Sequence, residues 1–473
     1  PARGKAAGNG GLRRPVGKRS ALGYVTGERP SSRTDFQSKD IPFSATASPG
    51  APFFMITEKP GLMEEIRGRF AHVDTCPITG PRIFFENAGG ALTLKSVVET
   101  SATYAAIPDN QGRDNPASKE LMRVIGQAKA DMRTFFNVAG GQLFVGESGT
   151  EVLFRLIRSA TNAAPAGGKL LGSTLEHPAS RSAMGYWAEK TGREHILVAH
   201  DDASGTVGVE AYRKALSPDL RVATILHTSP VTGMSVDVPA IAAAIRKAAP
   251  GCLIIVDGIQ HASHGHIDID SYGIDGYAIS PYKVFSRHGY GIGWASDRLT
   301  ALPKEQLRGG PTENWELGTR DTGAYATFSD VVDYFVWLGS HFTGSGDKRA
   351  RIEAAAQAIH AHEKTLTDAM LYGTGNLKGL TEMPGVGIIG GAENPAREGL
   401  VTLTVEGKEA ADVVAALNDQ GIRTHTRKAD HYSGNVLDPL GLPSAVRVSL
   451  CHYNSLEEVT QFLAAMAEIA DAG

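Results

Sequence analysis

Cysteine is scarce: the 473 residues hold three, Cys76, Cys252 and Cys451, none in CxxC spacing. That excludes a disulfide framework and a cysteine-ligated zinc site, and it suits a reducing cytoplasm. Long apolar runs are lacking as well, so no stretch reads as a membrane span and a soluble cytoplasmic protein is expected. No internal repeat stands out. The net charge is only −4, but it is unevenly spread. Residues 1–50 carry nine Lys/Arg against three Asp/Glu, leaving 38 against 48 for the remainder. This basic head is rich in Gly, Pro and Ser and has no hydrophobic periodicity, which predicts a disordered tail over 1–50. A transit peptide or a nucleic-acid tail is the alternative. The head shows no helix-turn-helix pattern, which speaks against a nucleic-acid partner.

From about Phe53 the composition becomes that of a folded chain, 42% hydrophobic overall and long enough for a large core and two domains. Arg82–Gly90 reads as a short strand entering a glycine turn. Leu121, Ile125, Ala128, Met132 and Phe135 fall at helical spacing, which predicts an amphipathic helix over 119–137. Lys169–Ser173, His195–Ala199, Val222–Leu226 and Cys252–Val256 read as strands, with a helix over Pro239–Ala249 between the last two. Continuous apolar strands separated by helices predict an α/β fold with a mostly parallel, covered sheet. Ligands of such sheets sit beyond the carboxyl ends of the strands. Asp257, Ser280 and Gly149 all fall at predicted strand ends. Gln142–Gly146 and Glu151–Thr161 read as a strand and a helix joined by Glu147-Ser-Gly-Thr150, a small-residue turn of the kind that seats phosphate at a helix N-terminus.

Towards the C-terminus, Arg349–Ala369 and Ala410–Asn418 read as helices and Leu400–Glu406 as a strand. Ser455-Leu-Glu-Glu458 is a capping box, ahead of a helix that carries Val459, Phe462, Met466 and Ile469 on one face.

One lysine stands out. Lys283 lies between the strand-like start of Ala278–Ala295 and its glycine-rich turn, flanked by Tyr, Val and Phe rather than by charges. A lysine that acts as a Schiff-base nucleophile needs a fixed place and partial desolvation, so that the neutral amine is accessible. A half-buried loop lysine is the plain alternative.

His177 in Leu175-Glu-His-Pro-Ala-Ser180, Asp257 and Gln260 in Val256-Asp-Gly-Ile-Gln-His261, and Lys283 in Ser280-Pro-Tyr-Lys283 resemble, in order and spacing, the class V aminotransferase family. These are fold-type-I pyridoxal phosphate (PLP) enzymes, and the resemblance covers roughly 80–460. The run from Asp257 through His261, His264 and Gly265 to Asp268 is similar to the cysteine desulfurase-like branch, which stands near isopenicillin N epimerase. The resemblance implies fold type I, with a seven-stranded sheet in a large domain over 81–340. A small α+β domain would join 51–80 to 341–473. It implies a Lys283 aldimine, Asp257 at the pyridine nitrogen, His177 on the ring face and Gln260 at the ring oxygen. Gly149, Thr150 and Ser280 would hold the phosphate, and Thr319 would reach the phosphate of a neighbouring subunit, so a homodimer is implied. Arg447, with Asn87, would bind the carboxylate of an amino-acid or amine substrate.

The chain departs from that branch in one telling place. Cysteine desulfurases carry a nucleophilic cysteine shortly before the carboxylate arginine, and Gly421–Gly434 contains none. Cys451 falls after Arg447, in what reads as the same strand. Pro230 and Tyr282 stand where desulfurases often have Asn and His. Aminotransferase-like chemistry is therefore expected. A PLP-dependent C–S or other β-lyase, a desulfurase-like enzyme, an epimerase and a non-catalytic regulator are the alternatives. His261, His264 and His266 have zinc-like spacing but follow a strand end within the family pattern, so no metal is expected.

Overall fold

Seven short strands build the central sheet: β1 (Gln142–Gly146), β2 (Lys169–Ser173), β3 (Glu194–Val198), β4 (Leu220–Leu226), β5 (Leu253–Asp257), β6 (Gly276–Ile279) and β7 (Gly291–Ala295). They are seen in a computed structural model that describes residues 55–471; the basic head lies outside the described residues. The spatial order is β1-β7-β6-β5-β4-β2-β3. Pairing is parallel from β3 through β6, and β7 runs antiparallel to both β6 and β1. The mostly parallel sheet expected from the sequence is present.

Strand β5 explains why these runs look continuously apolar. Ile254 and Val256 enter one hydrophobic cluster, Leu253 and Ile255 the other, and all five residues of the strand are buried. The second cluster takes the helices Gly149–Ala163 and Pro178–Thr191. The first takes Pro116–Phe136, Val238–Ala248 and Thr322–Gly339. A sheet covered on both sides has no polar face to alternate with.

Helix ends follow local chemistry. Pro116 stands at the first helical position behind Asn115, whose side chain accepts from Ser118 N at 2.8 Å, so that helix starts three residues before the periodic run. The capping box closes as expected. Ser455 N donates to Glu458 Oε2 at 3.1 Å, and Glu458 N donates to Ser455 Oγ at 3.3 Å. Thr322–Gly339, which periodicity does not reveal, is buried along most of its length, so it carries no polar stripe.

A second, antiparallel sheet has the order β8-β9-β11-β10, made of β8 (Val386–Ile388), β9 (Leu400–Val405), β10 (His425–Lys428) and β11 (Ser444–Ser449). Helices Ala410–Asp419 and Leu456–Asp471 cover it in a cluster of their own. The strand expected from Arg82 shortens to Ile83–Phe84, which pairs in parallel with Ile422–Arg423. Residues 56–73, grouped by sequence with the C-terminal part, send Ile56, Leu62, Ile66, Phe70 and Val73 into the core of the large sheet. The turn after β4 laces the sheets together: Glu398 N donates to Gly233 O (2.8 Å), Ser235 N to Ala396 O (2.8 Å) and Thr402 Oγ1 to Val231 O (2.5 Å). Among the described residues no helix is long and apolar enough to cross a membrane.

At the carboxyl end of the large sheet, β7 passes directly against the start of the helix Gly149–Ala163. A Cβ on Gly291 would lie 2.5 Å from Gly149 N, and one on Gly149 would run into Ser280 Oγ. Gly291→Ala should therefore cost about 1–3 kcal/mol of stability in urea unfolding, the usual penalty of overpacking. Gly251→Ala, where a Cβ meets nothing within 4 Å, is the control and should be nearly neutral. Equal midpoints for the two variants would show that the close approach is absent.

Candidate active site

The site grows from the end of β6. After Ile279 the chain makes a 3₁₀ turn, Pro281–Lys283, with Lys283 N donating to Ser280 O at 2.9 Å. Two residues on, Phe285 has φ 63°, a left-handed conformation that is uncommon outside glycine. Its buried ring is gripped edge-on by Phe70 and His452, centroids 5.4 and 5.0 Å away, and is stacked with Phe335 at 5.9 Å. That packing holds the backbone in a costly shape and so fixes the lysine two residues before it. Lys283 is only 9% exposed, and its Nζ donates to Gln260 Oε1 at 3.1 Å. Burial lowers its pKa to about 7, helped by the charge of Arg447 and opposed by Asp257.

Asp257 ends β5 and is buried. Its Oδ1 accepts from Ile259 N at 3.1 Å. Burial pushes its carboxyl up to about 6, against the pull of that N–H and of the Lys283 cation. A buried carboxyl in this state is short of a positive partner. His177 caps the helix Pro178–Thr191, Nδ1 accepting from Ala179 N at 3.1 Å, which locks the ring. Burial takes its pKa down to about 3, with Lys283, Arg427 and Arg181 adding to the effect, so the imidazole is neutral.

The helix expected from Glu151 begins two residues earlier. Ser148 is its N-cap, accepting from Glu151 N at 3.1 Å, and Gly149 and Thr150 form its first turn. N–H groups at those positions have no partner within a helix. Ser280 Oγ stands so close to Gly149 that no side chain fits between them. Thr319 is exposed on the segment before Thr322–Gly339, and no hydrogen bond among the described residues joins it to this cluster.

Arg447 comes from the second sheet, on β11. It is buried, Nη1 donates to Pro230 O at 3.0 Å, and Nε has no partner. Burial and the neighbouring Arg427 cation lower its pKa to about 9. Arg427 escaped the sequence reading. It lies on β10 opposite Ala445, and its charge bears on Lys283, His177 and Arg447 alike. The period-2 spacing of His425 and Arg427 was the available signal, because on an antiparallel pair it puts them on one face with Ala445 and Arg447. Tyr432, in the same segment, brings its ring within 6.0 Å of His177. Asn87 lies beside this group but spends its amide internally. Nδ2 donates to Ser449 O (2.8 Å), Phe84 O (3.1 Å) and Asn454 Oδ1 (3.2 Å), and Oδ1 accepts from Tyr453. Cys451, read from sequence as part of the strand with Arg447, lies beyond β11, which ends at Ser449.

The three histidines after β5 diverge. His261 faces Glu398 at 3.0 Å and stacks on His227, His264 faces Glu363 at 2.8 Å, and His266 meets Arg349 and Glu353.

These residues fit a phosphorylated pyridine ring. The Gly149–Ser280 cradle suits a phosphate and the neutral His177 ring suits an aromatic face. Asp257 is a buried carboxyl that burial raises in spite of the Lys283 charge, and Lys283 is an amine lowered to about 7. The comparisons with known proteins agree with this chemistry. The aminotransferase class-V family matches residues 83–462. A probable cysteine desulfurase of Xylella fastidiosa (strain 9a5c) is 26% identical over 447 residues, covering 90% of this chain and 98% of that protein. An aminotransferase-like protein of Gibberella zeae is 26% identical over 419 residues, covering 85% and 97%. The solved apo structure of a cysteine desulfurase from Thermococcus onnurineus NA1 superposes with a TM-score of 0.73 at 21% identity, covering 87% of this chain and 98% of that one, which shows the shared fold. With the family matched over most of its length, the chain belongs to the class-V aminotransferases, a family of PLP-dependent enzymes.

Proposed function

We propose that this protein binds PLP at Lys283 and uses it on the amino group of a carboxylate-bearing amino acid, with aminotransferase-like outcome. One observation carries the reading: a buried lysine, Lys283, hydrogen-bonded to Gln260, feels the charges of a buried carboxyl, Asp257, and of two arginines, Arg447 and Arg427. Gly149 and Thr150 N–H groups with Ser280 Oγ would hold the phosphate, His177 would cover the ring and Gln260 would meet its oxygen. Thr319 would come from the other subunit of a homodimer. PLP bound there supplies the electron sink that loosens the substrate's α-proton. Asp257 would face the ring nitrogen and favour its protonated form. Arg447, with the unpartnered Nε–H groups of both arginines, grips the substrate carboxylate and sets the α-hydrogen toward Lys283. Lys283 Nζ, its pKa lowered to about 7, would take that proton and, for transamination, deliver it to the cofactor's C4′, across the nitrogen from the α-carbon.

A second reading, carbon–sulfur bond cleavage without a protein thiol, is favoured by the desulfurase names among the relatives. A persulfide route lacks a cysteine in the Gly421–Gly434 segment. Cys451 is fully buried with its thiol pushed up by burial, and burial takes Cys252 up to about 12. Cys76 sits on a hairpin, with its thiol lowered to about 7 by hydrogen bonds from Thr79 and Ile78. The three unbridged cysteines support a reducing, cytoplasmic setting.

Borohydride reduction of the PLP-loaded protein, followed by peptide mapping, should place the pyridoxyl group on Lys283, and Lys283→Ala should abolish turnover. Modification of a different lysine would overturn the assignment. An amino-acid panel then separates the outcomes: keto acid with a pyridoxamine spectrum means transamination, whereas pyruvate with ammonia or sulfide means elimination.

Asp257→Asn keeps the shape and removes the anion, so PLP should be retained while kcat falls on the order of 10²-fold or more. Near-normal turnover would defeat that role. Replacing all three cysteines by Ala should leave turnover largely intact, and its loss in a folded, PLP-loaded variant would restore the persulfide route. If Thr319 completes a neighbour's site, specific activity should fall with dissociation, and a fully active monomer by light scattering would rule this out.

A further inference from the structure

Behind Lys283 and Gln260 runs a chain of buried polar groups, and the reaction above leaves its far members, His264 and Glu363, unused. Lys283 Nζ donates to Gln260 Oε1 (3.1 Å), Gln260 Nε2 meets His264 Nε2 (3.2 Å), and His264 Nδ1 meets Glu363 Oε2 (2.8 Å). Three elements contribute: the turn after β6, the turn after β5, and the helix Lys348–Tyr372. Gln260, His264 and Glu363 are 4%, 1% and 2% exposed. A primary amide always donates through its nitrogen, so in this arrangement His264 Nε2 is the acceptor and the ring proton sits on Nδ1, facing Glu363. If His264 instead carries protons on both nitrogens, Nε2–H needs an acceptor, and the Gln260 amide must turn over to offer its oxygen. Its NH₂ then faces Lys283, and only a neutral amine can accept from it.

We propose that His264, backed by Glu363, is a positioning residue that sets the orientation of the Gln260 amide, and that through this amide a proton held at His264 favours the neutral, nucleophilic form of Lys283. The inference rests on the reading of Lys283 as the PLP lysine. No proton travels the chain. The amide turns, and the two ends exclude each other's charge.

The surroundings favour a proton at the His264 end. Burial alone would lower its pKa, but Glu363 and the more distant Glu398 outweigh this and raise it, with Lys283 opposing. Cys451 places its sulfur within 4.8 Å of a His264 ring nitrogen and a Glu363 carboxylate oxygen, and His452 also feels the His264 charge. His360 faces Glu363 from its own helix. At the other end Lys283 is faced by Asp257, Arg447 and Arg427. Glu363 Oε2 is spent on His264 and its Oε1 has no partner, so the carboxylate is committed to this one imidazole.

The test uses apoprotein and PLP, and reads the rate of attachment by absorbance as a function of pH, without turnover. In the wild type the rate should rise through about pH 7, where the Lys283 amine loses its proton. Glu363→Gln removes the anion, leaves His264 neutral, and holds the Gln260 oxygen toward the lysine, the orientation seen in this structure. The rise should then move up by roughly one pH unit, so attachment at neutral pH slows by about tenfold. Simple loss of a nearby negative charge would move it down, since an anion favours the ammonium form. Loss of the His264 cation acting through space would move it up as well, so the comparison with and without Gln260 separates the amide link from through-space electrostatics.

In a Gln260→Ala background Glu363→Gln should cause no further shift. An unmoved or lowered midpoint in Glu363→Gln, or an equal shift with and without Gln260, would overturn the proposal. Should Glu363→Gln fail to fold, Glu363→Ser reads the same sign. Borohydride mapping on the same samples keeps the two failures apart. A pyridoxyl group on another lysine defeats the functional reading, whereas one on Lys283 with no shift defeats only the link.

Discussion

A buried amine held near neutrality is the constraint around which this site is arranged. Taking Lys283 out of water disfavours its charged form, and the two arginines of the second sheet press in the same direction. Asp257 pulls the other way, so the lysine settles near neutrality rather than becoming inert. The same burial acts on neighbouring acids. Glu176, which accepts from Thr224 Oγ1 at 2.7 Å and Ser173 N at 3.0 Å, is pushed up to about 8 and holds its proton. A second fixed anion next to Asp257 is thereby avoided, and the lysine answers to one carboxyl only.

This balance depends on backbone placement more than on any single contact. The ends of β5 and β6 and the turn after β1 bring Asp257, Lys283 and Gly149 to one edge of the sheet, where parallel strands leave a crevice. Glycines at 149 and 291 let the helix start and β7 touch, and the aromatic nest around Phe285 holds an unfavourable φ in place. The second sheet closes the site from the other side. The segment just before β9 and the turn after β4 are sewn together by backbone hydrogen bonds, the Thr402 hydroxyl of β9 adds one more, and the Pro230 carbonyl in that turn positions the Arg447 fork. The proline that replaces the asparagine frequent in desulfurases thus contributes through its main chain.

The sequence by itself determined the α/β class, most strands of the large sheet to within two residues, and the lysine at its centre. Those features are local: strand periodicity, caps, glycine turns and motif spacing are written in neighbouring residues. Helix Thr322–Gly339 was lost because a helix buried along most of its length has no polar face to set a period. The two helical residues before Glu151 were missed because Ser148, not the run of apolar residues, sets where that helix begins. Only the tertiary structure decided which groups share the site. Arg427 reads as one charge in a polar segment until β10 pairs with β11 and brings it beside Arg447. Asn87, a plausible substrate contact in sequence, is tied down by partners more than 350 residues away. Glu363 lies 99 residues from His264, and no spacing rule joins them. Such pairings depend on how two sheets and a long helix pack, and burial then gives each group a pKa that its residue type alone does not carry.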